Sequence, residues 1–297
     1  MEESGIRFPA PVSLRLAFES ERPGTLLRRL LKCGADPNEL LPASDRRFDL
    51  DPSISSISPL CWAALRNRPD WMRSICFAGG RLTATETSFL LPHVTWLGVS
   101  EWVVELLLEY GCNVNASSPF FGARPLTGAA AVGNAKVVRA LLRAGADVTL
   151  PHLDAAGDNP IPVLHLAAHN TDDVVRVLLQ AGAGVDALDA DRHSALDAAL
   201  LSGRDLDIHP LETLWRAGCP CGQPVKLVHL ARRFLRLDLA VEVLAAHGHL
   251  IPLVNDAELV EYARELMGHP VPEERGSPST SVELQDIFCK RPRQARR

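Results

Sequence analysis

Seven glycines punctuate this chain at a near-regular interval, each closing a short apolar helix signal and opening a turn. They are Gly34, Gly79, Gly111, Gly145, Gly182, Gly218 and Gly248, separated by steps of 45, 32, 34, 37, 36 and 30 residues. A spacing near thirty-three residues is a repeat period. One unit of that size cannot bury its apolar face alone, so successive copies must stack into a quasi-linear array held by nearest-neighbour packing. An array of this kind offers recognition surface before it offers a catalytic cavity.

The clearest copy runs from Arg124 to Asp147. Pro125 suits the first position of a helix, where its missing N–H costs nothing. Ala129 and Ala130 are small enough for a second helix to lie close, and Gly133 ends the first. Val137, Val138, Leu141 and Leu142 then form one apolar helical face. Gly145 supplies the left-handed residue that closes the unit.

At these residues the unit resembles the ankyrin repeat, with its pattern T-P-L-H-x-A-A-x-x-G followed by V-V-x-x-L-L-x-x-G-A-D-V-N. Ser58-Pro59-Leu60-Cys61-Trp62-Ala63-Ala64, Val163-Leu164-His165-Leu166-Ala167-Ala168 and Ser194-Ala195-Leu196-Asp197-Ala198 fit in register. Ser194 with Asp197 also reads as a capping box. The first, third and seventh copies are degenerate; the third lacks the Pro-Leu-His signature, and the seventh lacks the internal Gly. The resemblance implies an all-α solenoid of about seven helix–turn–helix units joined by short β-hairpin-like fingers. It spans residues 13–250, after a lead-in at 1–12. A capping helix is expected at 251–268, and a disordered linker with a basic tail at 269–297.

Three segments lengthen the period. Pro37 through Ile57 is expected as a surface loop, Pro151–Pro160 as a longer finger tip, and Asp205–His209 as an insert between two helices.

Composition narrows the function classes. A net charge of −5 argues against general nucleic-acid binding. No apolar run is long enough for a membrane span, and Met-Glu-Glu-Ser at the start lacks the features of a signal peptide. The seven cysteines are odd in number and scattered through repeat positions, which reads as small apolar use in a reducing cytoplasm or nucleus. A monomer is expected.

Catalytic and metal signatures do not assemble. His165 and His169 share one helical face, but Leu166 stands where a metalloprotease helix needs its Glu. Cys219-Pro220-Cys221 has no second Cys pair at zinc spacing. No cofactor is expected. Lys290-Arg291-Pro292-Arg293 matches a short import pattern, and also reads as a merely solubilising tail.

Stacks of this family are concave on the side of the first helices and fingers, which is where a protein partner is expected. The register places Trp62, Leu65, Arg66, Ala131, Val132, Leu166, His169, Asn170, Leu201 and Ser202 at exposed first-helix positions. Trp62, Arg66, Leu166 and His169, with Phe120 and Phe121 at a finger tip, are the candidate partner-binding residues, since aromatic and Arg side chains dominate interface energetics. Trp62→Ala is expected to weaken binding and spare folding. Two structural alternatives stand beside this: Trp62 packing beneath the 37–57 loop, and the two phenylalanines tucked against neighbouring fingers. Asn115 occupies a position where animal members of the family are hydroxylated. The leading function is a non-enzymatic binding scaffold. The alternative is a substrate-recognition adaptor of a ubiquitin ligase, although Gln285 replaces the Leu that a ligase-docking box places before Cys289.

Overall fold

The structure is a computed structural model that describes residues 13–19, 23–43, 50, 53–118, 122–153, 159–202 and 206–247. These residues form seven successive helix pairs. They are α1 (Arg15–Glu19) with α2 (Pro23–Lys32), α3 (Pro59–Leu65) with α4 (Pro69–Phe77), and α5 (Ala84–Trp96) with α6 (Glu101–Glu109). Then follow α7 (Pro125–Val132) with α8 (Ala135–Arg143), α9 (Val163–Ala167) with α10 (Asp172–Gln180), α11 (Ala195–Leu201) with α12 (Ile208–Arg216), and α13 (Pro224–Arg233) with α14 (Leu237–Ala246). Consecutive second helices pack on one another from α2 to α12, and consecutive first helices from α3 to α11. The molecule is therefore an all-α solenoid with one row of first helices and one row of second helices.

Local chemistry starts and stops these helices. Proline stands in the first turn of α3, α4, α7 and α13. Ser58, Asn134 and Ser194 accept capping bonds from the amides of Cys61, Val137 and Asp197. Six of the seven period-marking glycines have φ between 82° and 92°, a conformation that costs an L-residue about 1–2 kcal/mol. Gly248 lies outside the described residues. In the seventh repeat, where the internal Gly is missing, Leu235 takes that conformation itself at φ 57°.

Side chains between the two rows make one continuous core. Val103, Val104 and Leu107 on α6, Val137, Val138 and Leu141 on α8, and Val174, Val175 and Leu178 on α10 are all buried. In each Leu pair the first member carries the interior, while Leu108, Leu142 and Leu179 only border it. The weight that the periodicity spreads over Leu141 and Leu142 thus falls on Leu141.

Polar stitches join neighbouring repeats. The Asn115 amide donates to the Gly145 carbonyl at 3.2 Å and accepts from the Asp147 N–H at 2.8 Å. Asn38 makes the same pair of bonds to Gly79 and Arg81. Asp197 departs from the capping-box expectation: its carboxylate accepts from the Gly222 and Gln223 amides of the next repeat.

The third repeat keeps the chemistry of the missing signature in different residues. Thr83 and Glu86 form a complete capping box at the start of α5. The buried Glu86 carboxylate also accepts from the Ser58 amide at 2.5 Å and the Ser58 hydroxyl at 2.8 Å, tying repeat three to repeat two.

The 37–57 segment is more than a surface loop. Strands β1 (Leu41–Pro42) and β2 (Ser56–Ile57) pair antiparallel with Leu41 opposite Ile57, and both side chains enter the core. The 151–160 tip carries a single bridge between His152 and Ile161. In the third insert, Leu206 is buried and Asp207 caps α12. Residues 251–297 lie outside the described part, and with them the expected capping helix, linker, basic tail and ligase-docking segment.

Candidate partner-binding face

Trp62 does not face solvent. It is 7% exposed, with the Phe18 ring at 4.4 Å and the Trp71 ring stacked at 6.0 Å. The Arg66 guanidinium lies over it at 4.3 Å, and that of Arg68 lies over Trp71 at 4.2 Å. Trp62 and half-buried Arg66 therefore form one internal aromatic–cationic unit at the start of the stack. The cause is Phe18, which α1 lays across the position that the register leaves open; Leu65 is buried as well. Among the described residues, Phe18 and Trp71 are ring partners of Trp62.

From the third repeat onward the first-helix ends carry exposed apolar side chains. Trp96 and Leu97 close α5, Val132 closes α7, Leu201 closes α11, and Phe234 and Leu235 follow α13. Leu166 and His169 lie between them and are half-buried. Ala131 is half-buried, Ser202 is exposed, and Asn170 spends its amide on the carbonyls of Ala130, Ala131 and Leu166. Phe120 and Phe121 lie outside the described residues.

Trp96 is the tryptophan on this row. Its ring lies against the α7 backbone at Gly128, where an added Cβ would come 2.8 Å from Trp96 Cδ1 and 2.7 Å from Thr95 Oγ1. On its other side the His152 ring stands 5.4 Å away, which places Trp96 between a first helix and a finger. Successive links hold the row together: Gly98 borders Val132, and Gly133 borders Asn170. His165 Nε2 is 2.9 Å from the His193 carbonyl, fixing the fifth repeat to the finger that leads into the sixth.

The sequence pattern described as Ankyrin repeat matches residues 121–152 and 162–190. The chain is also similar to human Cyclin-dependent kinase inhibitor 2A, with 32% identity over 149 residues, covering 49% of this chain and 91% of that protein. This chain belongs to the ankyrin-repeat family.

Further features of the ankyrin stack bear on its chemistry. Among the described residues no group of three or more His, Cys, Asp or Glu is arranged to hold a metal ion, and no helix is long and apolar enough to cross a membrane. Burial pushes the Cys61 thiol well up, and raises Cys112 to about 11 and Cys221 to about 12, which makes all three poor nucleophiles at neutral pH.

The register did not find Trp96 and Leu97 because the third repeat lacks the signature from which positions are counted. One signal was present. Gly128 stands inside α7, where a glycine costs helix stability and implies that something large lies close.

Proposed function

We propose that this ankyrin stack is a non-enzymatic scaffold that binds a protein partner along the first-helix face of repeats three to seven. The observation that carries the reading is the row of exposed apolar side chains on that face, with Trp96 at 37%, Val132 at 41% and Leu201 at 40% exposed. Large apolar side chains held on a rigid array lose little conformational freedom on association, so their burial converts efficiently into affinity. Half-buried Leu166 and His169 contribute to the middle of the same surface.

The partner class to try first is a protein kinase of the cyclin-dependent type, because the human relative's name makes it an inhibitor of one. Titration calorimetry of the full chain against such a kinase, with and without Val132→Glu/Leu201→Glu, tests both parts. Binding abolished by the double variant supports the face and the partner. Binding that survives the double variant refutes the face; failure of the wild-type chain to bind or inhibit refutes the kinase.

A further inference from the structure

The opposite face of the first three repeats carries a different surface. Second helices α2, α4 and α6 lie side by side there. Between α2 and α4 runs an open groove of about 620 Å³ whose lining includes Arg28, Leu31, Lys32, Arg73 and Phe77. Phe77 ends α4 with 97% of its surface in solvent, more than any other large apolar side chain among the described residues. Trp102, near the start of α6, is 59% exposed, and the Arg73 guanidinium stands 5.7 Å from its ring. Arg73 thus joins the groove to a second exposed aromatic.

The charge of this surface runs against the rest of the chain. Arg28, Lys32 and Arg73 are exposed, and no ion pair joins any of them to another described residue. The acid in the groove, Asp70, is taken by Arg68, whose hydrogen bonds at 3.0 and 2.9 Å hold its carboxyl below the usual range. Three cations without an ion-pair partner among the described residues therefore border apolar surface in a chain whose net charge is −5.

We propose that this second-helix groove docks a short acidic protein segment carrying an aromatic or leucine side chain. Its carboxylates would meet Arg28, Lys32 and Arg73, while its apolar side chain would cover Phe77 and Leu31. Trp102 would extend the contact through Arg73. Complementary charge of this kind sets specificity and association rate, and the apolar anchor supplies residence time. A nucleic acid fits less well, because three cations are few and the net negative chain repels a polyanion. The groove is independent of the first-helix face, so one molecule can hold two partners at once.

The test is selection of a displayed random dodecapeptide library on the immobilised full-length chain, followed by titration of the enriched peptides. The comparison proteins are Phe77→Ala, the triple reversal Arg28→Glu/Lys32→Glu/Arg73→Glu, and Val132→Glu/Leu201→Glu. All of these positions are exposed, and circular dichroism melting verifies that each variant folds. The expected result is enrichment of net-acidic peptides containing an aromatic or leucine. Their Kd should rise about tenfold or more in each of the first two variants and stay unchanged in the third. The proposal would be overturned by no enrichment, by enrichment without acidic bias, or by peptide binding indifferent to both groove variants. Binding of a single-stranded oligonucleotide, tighter than that of the acidic peptides and lost on charge reversal, would overturn it in favour of nucleic acid.

Discussion

Replacing Trp62 by alanine separates the two accounts of this residue. A surface anchor would leave folding intact, whereas the buried ring seen here cannot be removed without loss. A tryptophan buries up to about 250 Å², and with 7% left exposed nearly all of that is withdrawn from water. At about 25 cal/mol per Å² the upper limit is about 6 kcal/mol. Residual compaction of the unfolded chain lowers this figure, which brings it to the roughly 3–5 kcal/mol typical of Trp→Ala in a core. Lost contacts with the Phe18 ring at 4.4 Å and the Arg66 guanidinium at 4.3 Å lie within that sum. Because repeats contact only their neighbours, the damage should stay at one end of the stack. Urea unfolding combined with amide hydrogen exchange reads this directly. Protection should collapse in α1 through α4 and persist in α7 through α12. An unchanged urea midpoint, with full protection retained from Arg15 to Phe77, would refute the assignment of Trp62 to the core.

Three further outcomes are expected. Gly128→Ala gains about 1 kcal/mol of helix propensity but drives a methyl to within 2.7 Å of Thr95 Oγ1 and 2.8 Å of Trp96. Overpacking of about 1–3 kcal/mol should win, seen as a lower melting temperature and altered tryptophan fluorescence. Leu235→Gly relieves a left-handed leucine that is 71% exposed, and should raise stability by about 0.5–1 kcal/mol after the unfolded-state entropy of glycine is subtracted; a lower urea midpoint would contradict it. For Asp238, desolvation pushes the carboxyl up, yet hydrogen bonds from Arg236 and the Leu239 amide, with the charges of Arg236 and Arg216, hold it below its ordinary value. Its stabilisation is therefore present above the unfolded pKa of about 3.9 and is lost as pH falls through the lower folded value. Asp238→Asn should flatten the acid limb of a urea-midpoint profile taken from about pH 2 to 6, while neighbouring Glu242, raised by burial, works in the opposite sense.

Much of the fold was legible because it rests on local chemistry. Gly34, Gly79, Gly111, Gly145, Gly182 and Gly218 mark turns whose left-handed backbone suits glycine before any tertiary contact is considered. The Val-Val and Leu spacing of α8 and α10 sets one apolar face per helix, so the stacking of second helices followed from sequence.

The candidate site was legible only in part, because exposure on a first helix depends on what the neighbouring repeat places against it. Trp62 and Val132 were both read as exposed first-helix residues, yet Phe18 covers one and nothing described buries the other. Trp96 escaped the register altogether: Thr83 and Glu86 replaced the usual signature, and the ring's position was settled by Gly128 in the next repeat. Leu41 and Ile57 looked like loop residues until two short strands paired and turned them inward. By itself the sequence determined the repeat, its period, the helices and their apolar faces, all of which depend on φ, capping and 3.6-residue periodicity. Only the tertiary structure decided which large side chains the stack consumes and which it leaves facing water, because burial is a property of neighbours brought together from distant parts of the chain.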